Sequence, residues 1–398
     1  MTPQPNHMPG WPEGRGSRAD IADRFGDERA NLASWALVTG DPLAEAVVAE
    51  IHSGHPGVAV ALNNGILNGL DSLTDTTRAV AAFLTQTERI VHGTDSGLYD
   101  YGVAPFYTSP GPVHLISLSA GALIRVYESP SIAEMLATTG KLVDGAERRI
   151  LETGQWLATV MLPGSLRAGQ PGYIATLQVR MLHAHMRYLA RHKGYNESSL
   201  GAPINQVDLA RTWTDFTLTS FMAEATMGFE LTADEQGTLF TYWHLVAHLL
   251  GIDPQMIEGV TGPGPAEQLD DVLQALTGAP VAESAALAAA TIDSIAHLLH
   301  DALPIPEGMA VHALRALTRR FHGDDVADAL RIPRSEMADA VIAEAIHGVR
   351  LLRAHKRKDP KAWAAEQEKN LSDSRTRLGQ NPVPTEYEQR TATELATG

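Results

Sequence analysis

Apolar residues recur along this chain at intervals of three and four and almost nowhere at intervals of two, so the pattern predicts helices from end to end. The clearest early element follows Asp41 and Pro42, an N-cap and first-turn pair. It runs through Ile51 towards Gly54 and carries Leu43, Val47, Val48 and Ile51 on one stripe. The same spacing predicts helices near 79–91, 113–127, 130–139, 142–161, 172–193 and 205–227, the last closed by Gly228. Thr232-Ala-Asp-Glu235 has the form of a capping box and opens a helix that runs to Leu250 and stops at Gly251. Further helices are expected at 265–276, 280–302, 307–321 and 334–356. With no hairpin signal, no sustained alternation and no fixed-period repeat, the expected fold class is all-α with one main body.

Three spans divide the chain. Residues 1–30 are rich in Pro, Gly and charge and read as an irregular N-terminal arm, residues 31–355 as the main body, and residues 356–398 as a polar C-terminal tail. The tail has so few large apolar residues that burial is not expected to offset its ordering entropy, which predicts a mobile or extended segment. Between 93 and 112 the chain reads as a loop holding Tyr99, Tyr101, Phe106 and Tyr107. Two readings stand for it: aromatic packing that pins the loop to the body, or an access lid.

Composition then removes whole classes of chemistry. With 31 basic and 47 acidic residues the net charge is -16, which argues against any partner held by phosphate neutralisation, so no nucleic acid is expected. There is no cysteine, which excludes disulfides, thiol nucleophiles, Fe–S clusters and thiolate-ligated or covalently attached haem. Any zinc site would need histidine and carboxylate ligands alone. No window is long and apolar enough to span a membrane, and no continuous apolar stretch near the start suggests a signal peptide, so a soluble, cytoplasmic protein is expected. The GxSxG, Walker A and GxGxxG motifs are all missing, which takes the usual support from serine hydrolase, P-loop and Rossmann readings.

Sixteen histidines remain to be sorted. His183 and His185 lie two apart on a helix, roughly 200° around the axis, so they cannot share one metal. The helical neighbours of His183 are Thr176, Val179, Met186 and Ala190, a small and apolar face that leaves room for a flat macrocycle. Arg180 and Arg187 at its edges could pair with propionates. His185 lies with Met181, Leu182, Tyr188 and Leu189, as in ordinary packing. His244 and His248 have a zinc-like spacing, but Leu245 stands where a zincin has its glutamate, and their apolar neighbours favour a structural face. His297 and His300 read as partly exposed surface. Upstream, Arg149 and Thr153 are i and i+4 with Glu152 alongside, and the plainest reading is a solvated helix with Arg148 paired to Glu152.

Taken in order, GDPLAEAVVAE at 40–50, the Arg149-x-x-x-Thr153 helix, RMLHAHMR around His183, GAPINQVDLARTW at 201–213 and WHLVAHLLGID at 243–253 resemble the latex-clearing-protein family. That family sits in a wider group of haem oxygenases that includes a fungal enzyme of mycophenolic acid biosynthesis. The resemblance spans roughly 35–350 and implies a globin-like helical core around a non-covalent b-type haem, with His183 as proximal iron ligand and Arg149 and Thr153 on the distal side. It also implies a reaction in which O2 cleaves a C=C bond of polyisoprene to an aldehyde and a ketone end, with a carboxylate taking an allylic proton. Glu134 and Glu152 are both candidates for that base. Where the best-known rubber-cleaving members carry a lysine before the threonine, this chain has Glu152. That substitution, with the missing leader, points from rubber towards a small isoprenoid, alkene or aromatic. Two alternatives accompany the oxygenase reading: a peroxidase or peroxygenase using Glu152 as distal acid and base, and a non-catalytic haem sensor or carrier.

Overall fold

In the computed structural model, residues 10–138, 145–302 and 305–380 are described, and among them every regular element is a helix. The opening layer comprises α1 (Arg18–Phe25), α2 (Asp27–Ala36), α3 (Pro42–His52), α4 (Val58–Asn68) and α5 (Arg78–His92). Asp41 caps α3 by accepting from Ala44 N, and Thr77 caps α5 by accepting from Val80 N, as their residue types favour. Next come α6 (Ser96–Tyr101), a 3₁₀ turn at Ala104–Thr108 and α7 (Gly111–Ile116). A π-helical stretch, Ser117–Leu123, then leads to α8 (Ile124–Tyr127) and α9 (Pro130–Thr138).

The centre of the molecule is α10 (Ala146–Val160) packed on α11 (Pro171–His192), the latter long enough to touch α3, α4 and later helices along its length. After α12 (Glu197–Leu200), α13 (Gln206–Thr214) passes through a second π-helical stretch, Asp215–Thr219, into α14 (Ser220–Thr226). The capping box at Thr232 and Glu235 is formed and opens α15 (Ala233–Leu249). The remaining helices are α16 (Pro254–Ile257), α17 (Pro263–Thr277), α18 (Ala282–Ala302), α19 (Glu307–Ala329), α20 (Glu336–Lys356) and α21 (Pro360–Gln380). Gly323 at φ 79 breaks α19 into two. One continuous apolar core runs from Ile21 to Ile332.

Several expectations need correction. The arm is not irregular throughout: Arg18–Phe25 and Asp27–Ala36 are helices, and Arg15 anchors the segment through a buried two-pronged pair with Asp208. The 93–112 segment is mostly short helix rather than loop, with Tyr99 and Tyr107 buried and bonded to the carbonyls of Val91 and Met161. That is the pinning reading, although Tyr101 is exposed. The tail is also ordered as far as Gln380. Its helix α21 lies along the 3₁₀ turn, Asn370 donates to the Tyr107 carbonyl, and Trp363 takes the guanidinium groups of Arg353 and Arg357 on its ring. Counting large apolar residues missed it because polar groups and one tryptophan do the anchoring. Residues 1–9 and 381–398 of the expected arm and tail, and 139–144 of the expected 130–139 and 142–161 helices, lie outside the described residues.

Candidate functional site

The two central helices build the site by the same arithmetic. On α10, Arg149, Glu152, Thr153 and Trp156 are spaced i, i+3, i+4 and i+7; on α11, Val179, Leu182, His183 and Met186 repeat that spacing. Each set is one helix face, and both faces line a single cavity of about 330 Å³, within the range of small-molecule pockets. Its other walls are mainly aliphatic, with a cluster of aromatic rings at one side. Trp156, Phe216 and Trp243 meet edge to face with ring centroids 6.2 to 6.3 Å apart. Trp156 Nε1 donates to Thr176 Oγ1, which in turn donates to the Gly172 carbonyl, so the indole is fixed from behind. Leu123 and Phe216 reach the wall from the two π-helical stretches, which pack on each other. The wider turn leaves a carbonyl outside the usual ladder, and His322 Nε2 donates to one at Ala120.

Among the described residues, His183 is the one histidine on this wall. Burial, helped by the nearby Arg187 charge and opposed by Asp41, pushes its pKa down to about 4, so near neutral pH the ring is uncharged with a lone pair available. Its Nδ1 is buried and has no hydrogen-bond partner among the described residues. A neutral, incompletely satisfied imidazole on an apolar cavity wall in a cysteine-free chain fits a haem iron.

The expected partners of that group divide. Arg149, Glu152 and Thr153 all line the wall, and Arg149 is the one cationic side chain there among the described residues. The pair between Arg148 and Glu152 also exists, Nε to Oε1 at 2.9 Å, but it is not merely solvated: Arg148 is half exposed while Glu152 is buried at the cavity edge. Glu134 is not on the wall. Leu182 joins the His183 face, not that of His185, whose ring turns away towards His52.

Arg180 and Arg187 do not flank the cavity; they point to its far side. Arg180, fully buried, binds Asp41 through Nε (2.5 Å) and Nη2 (3.0 Å) and also donates to Gln86. Arg187 lies 2.8 Å from Glu45 and donates to the Ile204 carbonyl. Burial acts to raise the Asp41 carboxyl, but the charges of Arg180 and Arg187 and the hydrogen bonds outweigh it, and its pKa is lowered.

This back layer was invisible to pattern reading, yet it explains why four separated segments go together. Gln206 donates to the carbonyls of Gly40 and Gly251 and accepts from Asp253 N. Gly251, at φ 85, passes so close that a Cβ would lie 2.3 Å from Asp41 Oδ2 and 2.7 Å from Arg180 Nε. The GDP, RMLHAHMR, INQ and GID pieces therefore close one polar platform behind His183. Asp208, also missed, lines the cavity but is saturated by Arg15, Ser131 and Asn205.

The other histidines singled out in the sequence lie off this wall. His244 Nε2 donates to the Val260 carbonyl, its ring lies edge-on to His248, and His297 is half exposed beside Asp301. No group of three metal-binding side chains exists among the described residues. Nor, among them, is any helix long and apolar enough to cross a membrane.

Comparison with known proteins agrees with this architecture. A solved structure of latex clearing protein in the closed state matches with a TM-score of 0.64 at 18% identity, covering 85% of this chain and 90% of that one, which establishes a shared all-α fold. No protein with a curated description matches. The family described as "ER-bound oxygenase mpaB/B'/Rubber oxygenase, catalytic domain" matches residues 113–364, a span that contains every residue on the cavity wall. With more than half its length inside that match, this chain belongs to the mpaB and rubber oxygenase family, as an oxygenase catalytic domain.

Proposed function

We propose that the protein is a haem b-dependent oxygenase acting on an apolar unsaturated substrate, with His183 as the ligand to iron. The observation that carries this reading is the uncharged His183 imidazole on an apolar cavity wall it shares with Arg149, Glu152 and Thr153. When bound, haem supplies an iron centre for activating O2, chemistry that no side chain here could provide.

The chain's own residues would do the rest. Trp156, Phe216 and Trp243 exclude water and bind hydrocarbon by burial, at roughly 25 cal/mol per Å². The Glu152 carboxylate, held by Arg148 through Oε1, is the base on the wall; it would take an allylic proton and give it back as the carbonyl ends form. Arg149 and Thr153 contribute a cation and a hydroxyl donor on the same face for negative charge developing on oxygen. The proposed overall reaction is cleavage of one C=C bond by O2, one oxygen atom going to each carbon to give two carbonyl ends. A polyisoprene-like chain or a small isoprenoid or alkene meets these requirements.

A peroxide-using reading draws support from Glu152, a carboxylate on the same wall. Against it stands the lack of an acceptor at His183 Nδ1 among the described residues, because a carboxylate there is what makes a ligating imidazole more basic. The test is an absorption spectrum of haem-supplied protein, followed by ¹⁸O₂ turnover of squalene with mass analysis of the products. Wild type should bind haem and yield carbonyl products with label at both new ends, and His183→Ala should lose the haem band. Full haem loading in that variant would sink the assignment, and turnover with peroxide but not O2 would favour the second reading.

A further inference from the structure

Off the cavity wall, α20 presents a second apolar face. Its inner side docks through Ile342 and Ile346 against the body. On the outer side Met337 (83% exposed), Val341 (66%), Leu351 (61%) and Leu352 (56%) stand in solvent. At 100° per residue these four and Gly348 fall within an arc of roughly 100°, a full helix-docking stripe. A Cβ at Gly348 would meet nothing within 4 Å, so that position is a gap through which another backbone can approach.

Polar side chains along the stripe are segregated, carboxylates from imidazoles. Glu336 and Glu344 lie in its first half and His347 and His355 in its second, and none of the four makes an ion pair among the described residues. Of the cations at this end, Arg350, Lys356 and Arg357 are already paired with Glu230, Glu366 and Glu235, and Arg353 is buried and donates to the Thr108 carbonyl.

We propose that α20 is a self-docking face, on which a second copy of this chain packs its own α20 antiparallel about a two-fold axis near residue 346. That register sets Val341 level with Leu351 of the second copy and Met337 level with His355 of the second copy. Glu344 comes to the Gly348 gap, beside His347 of the second copy. The carboxylate half of each helix thus meets the imidazole half of the other, where a ring N–H can donate to a carboxylate, a self-complementary arrangement of the kind a two-fold interface requires. A bilayer is the poorer occupant: it would take the Glu344 carboxylate into its apolar region, and the net charge of -16 opposes anionic lipid. One helix face falls below about 1,200 Å² of total buried area, so the dimer exchanges with monomer.

Sedimentation equilibrium on the full-length protein tests this. Wild type should rise with concentration from 42.8 kDa towards twice that mass. Val341→Glu puts two carboxylates into each interface and should raise the dimer Kd about a hundredfold, with an unchanged circular dichroism spectrum. Glu344→Lys should also weaken the dimer, and adding His347→Glu should restore it, which a purely apolar contact would not do. A monomer at all concentrations overturns the proposal, as does a dimer indifferent to Val341→Glu. Binding of wild-type monomer to phosphatidylcholine and phosphatidylserine vesicles, lost in Val341→Glu, would reassign the face to a membrane.

Discussion

Asp41→Asn is the sharpest probe of the layer behind His183. The substitution keeps the shape of the side chain and its capping oxygen for Ala44 N, but removes the charge that balances Arg180, which is buried to 1% exposure. Removing one partner of a buried pair costs about 3–5 kcal/mol, because the other charge is stranded in a poorly polarisable interior. Gln86 Oε1, 2.8 Å from Arg180 Nη2, still accepts from the stranded group, so the lower end, about 3 kcal/mol, is expected. Asp41→Ala should cost about 1 kcal/mol more, the worth of the lost cap. Adding Arg180→Met to Asp41→Asn should recover most of the loss, since the unbalanced charge is then gone. Urea denaturation followed by circular dichroism measures all four proteins. Arg180 lies one turn before His183, so haem affinity should fall alongside stability in Asp41→Asn. A loss under about 1 kcal/mol in Asp41→Asn, or no recovery in the double variant, would refute the account of Arg180 as a buried charge dependent on Asp41.

Two further outcomes follow from other buried groups. Burial pushes the Asp215 pKa up to about 7 against the pull of Arg211 and Arg125, so between 3.8 and 7 the folded chain holds a proton that the unfolded chain has lost. Stability should therefore fall as pH rises through that window, and Asp215→Asn should flatten this part of the pH profile; an unchanged slope in urea titrations would count against the shift. Trp363→Ala removes the ring between Arg353 and Arg357 and should cost about 1–2 kcal/mol, opening α21 to limited proteolysis while haem loading stays at the wild-type level. Equal cleavage rates in wild type and variant would show that the tryptophan does not hold the helix.

Periodicity found what depends on periodicity. The helix register of α10 and α11 is written in the spacing of Arg149, Thr153 and His183, and the caps at Asp41 and Thr232 are local signals that need no tertiary context. The partners of Arg180 and Arg187 were illegible for the opposite reason: a helical wheel gives the angle of a side chain but not which distant segment meets it. Asp41 is 139 residues from Arg180 in sequence. The π-helical stretches at Ser117–Leu123 and Asp215–Thr219 escaped for a related reason, since widening by one residue per turn leaves the apolar pattern almost intact. In α21 the polar composition was read correctly, but the contacts of Asn370 and Trp363 were not in the pattern.

The platform that joins Asp41, Arg180, Gln206 and Gly251 shares no residue with the cavity wall. Heritable change can therefore act on the two sides of α11 separately. Replacing Met186, Leu209 or Ile252 would recut the space offered to a substrate without touching the ties that hold His183 in place. A lineage built this way can change the length and shape of what the cavity admits while the setting of His183 is inherited intact.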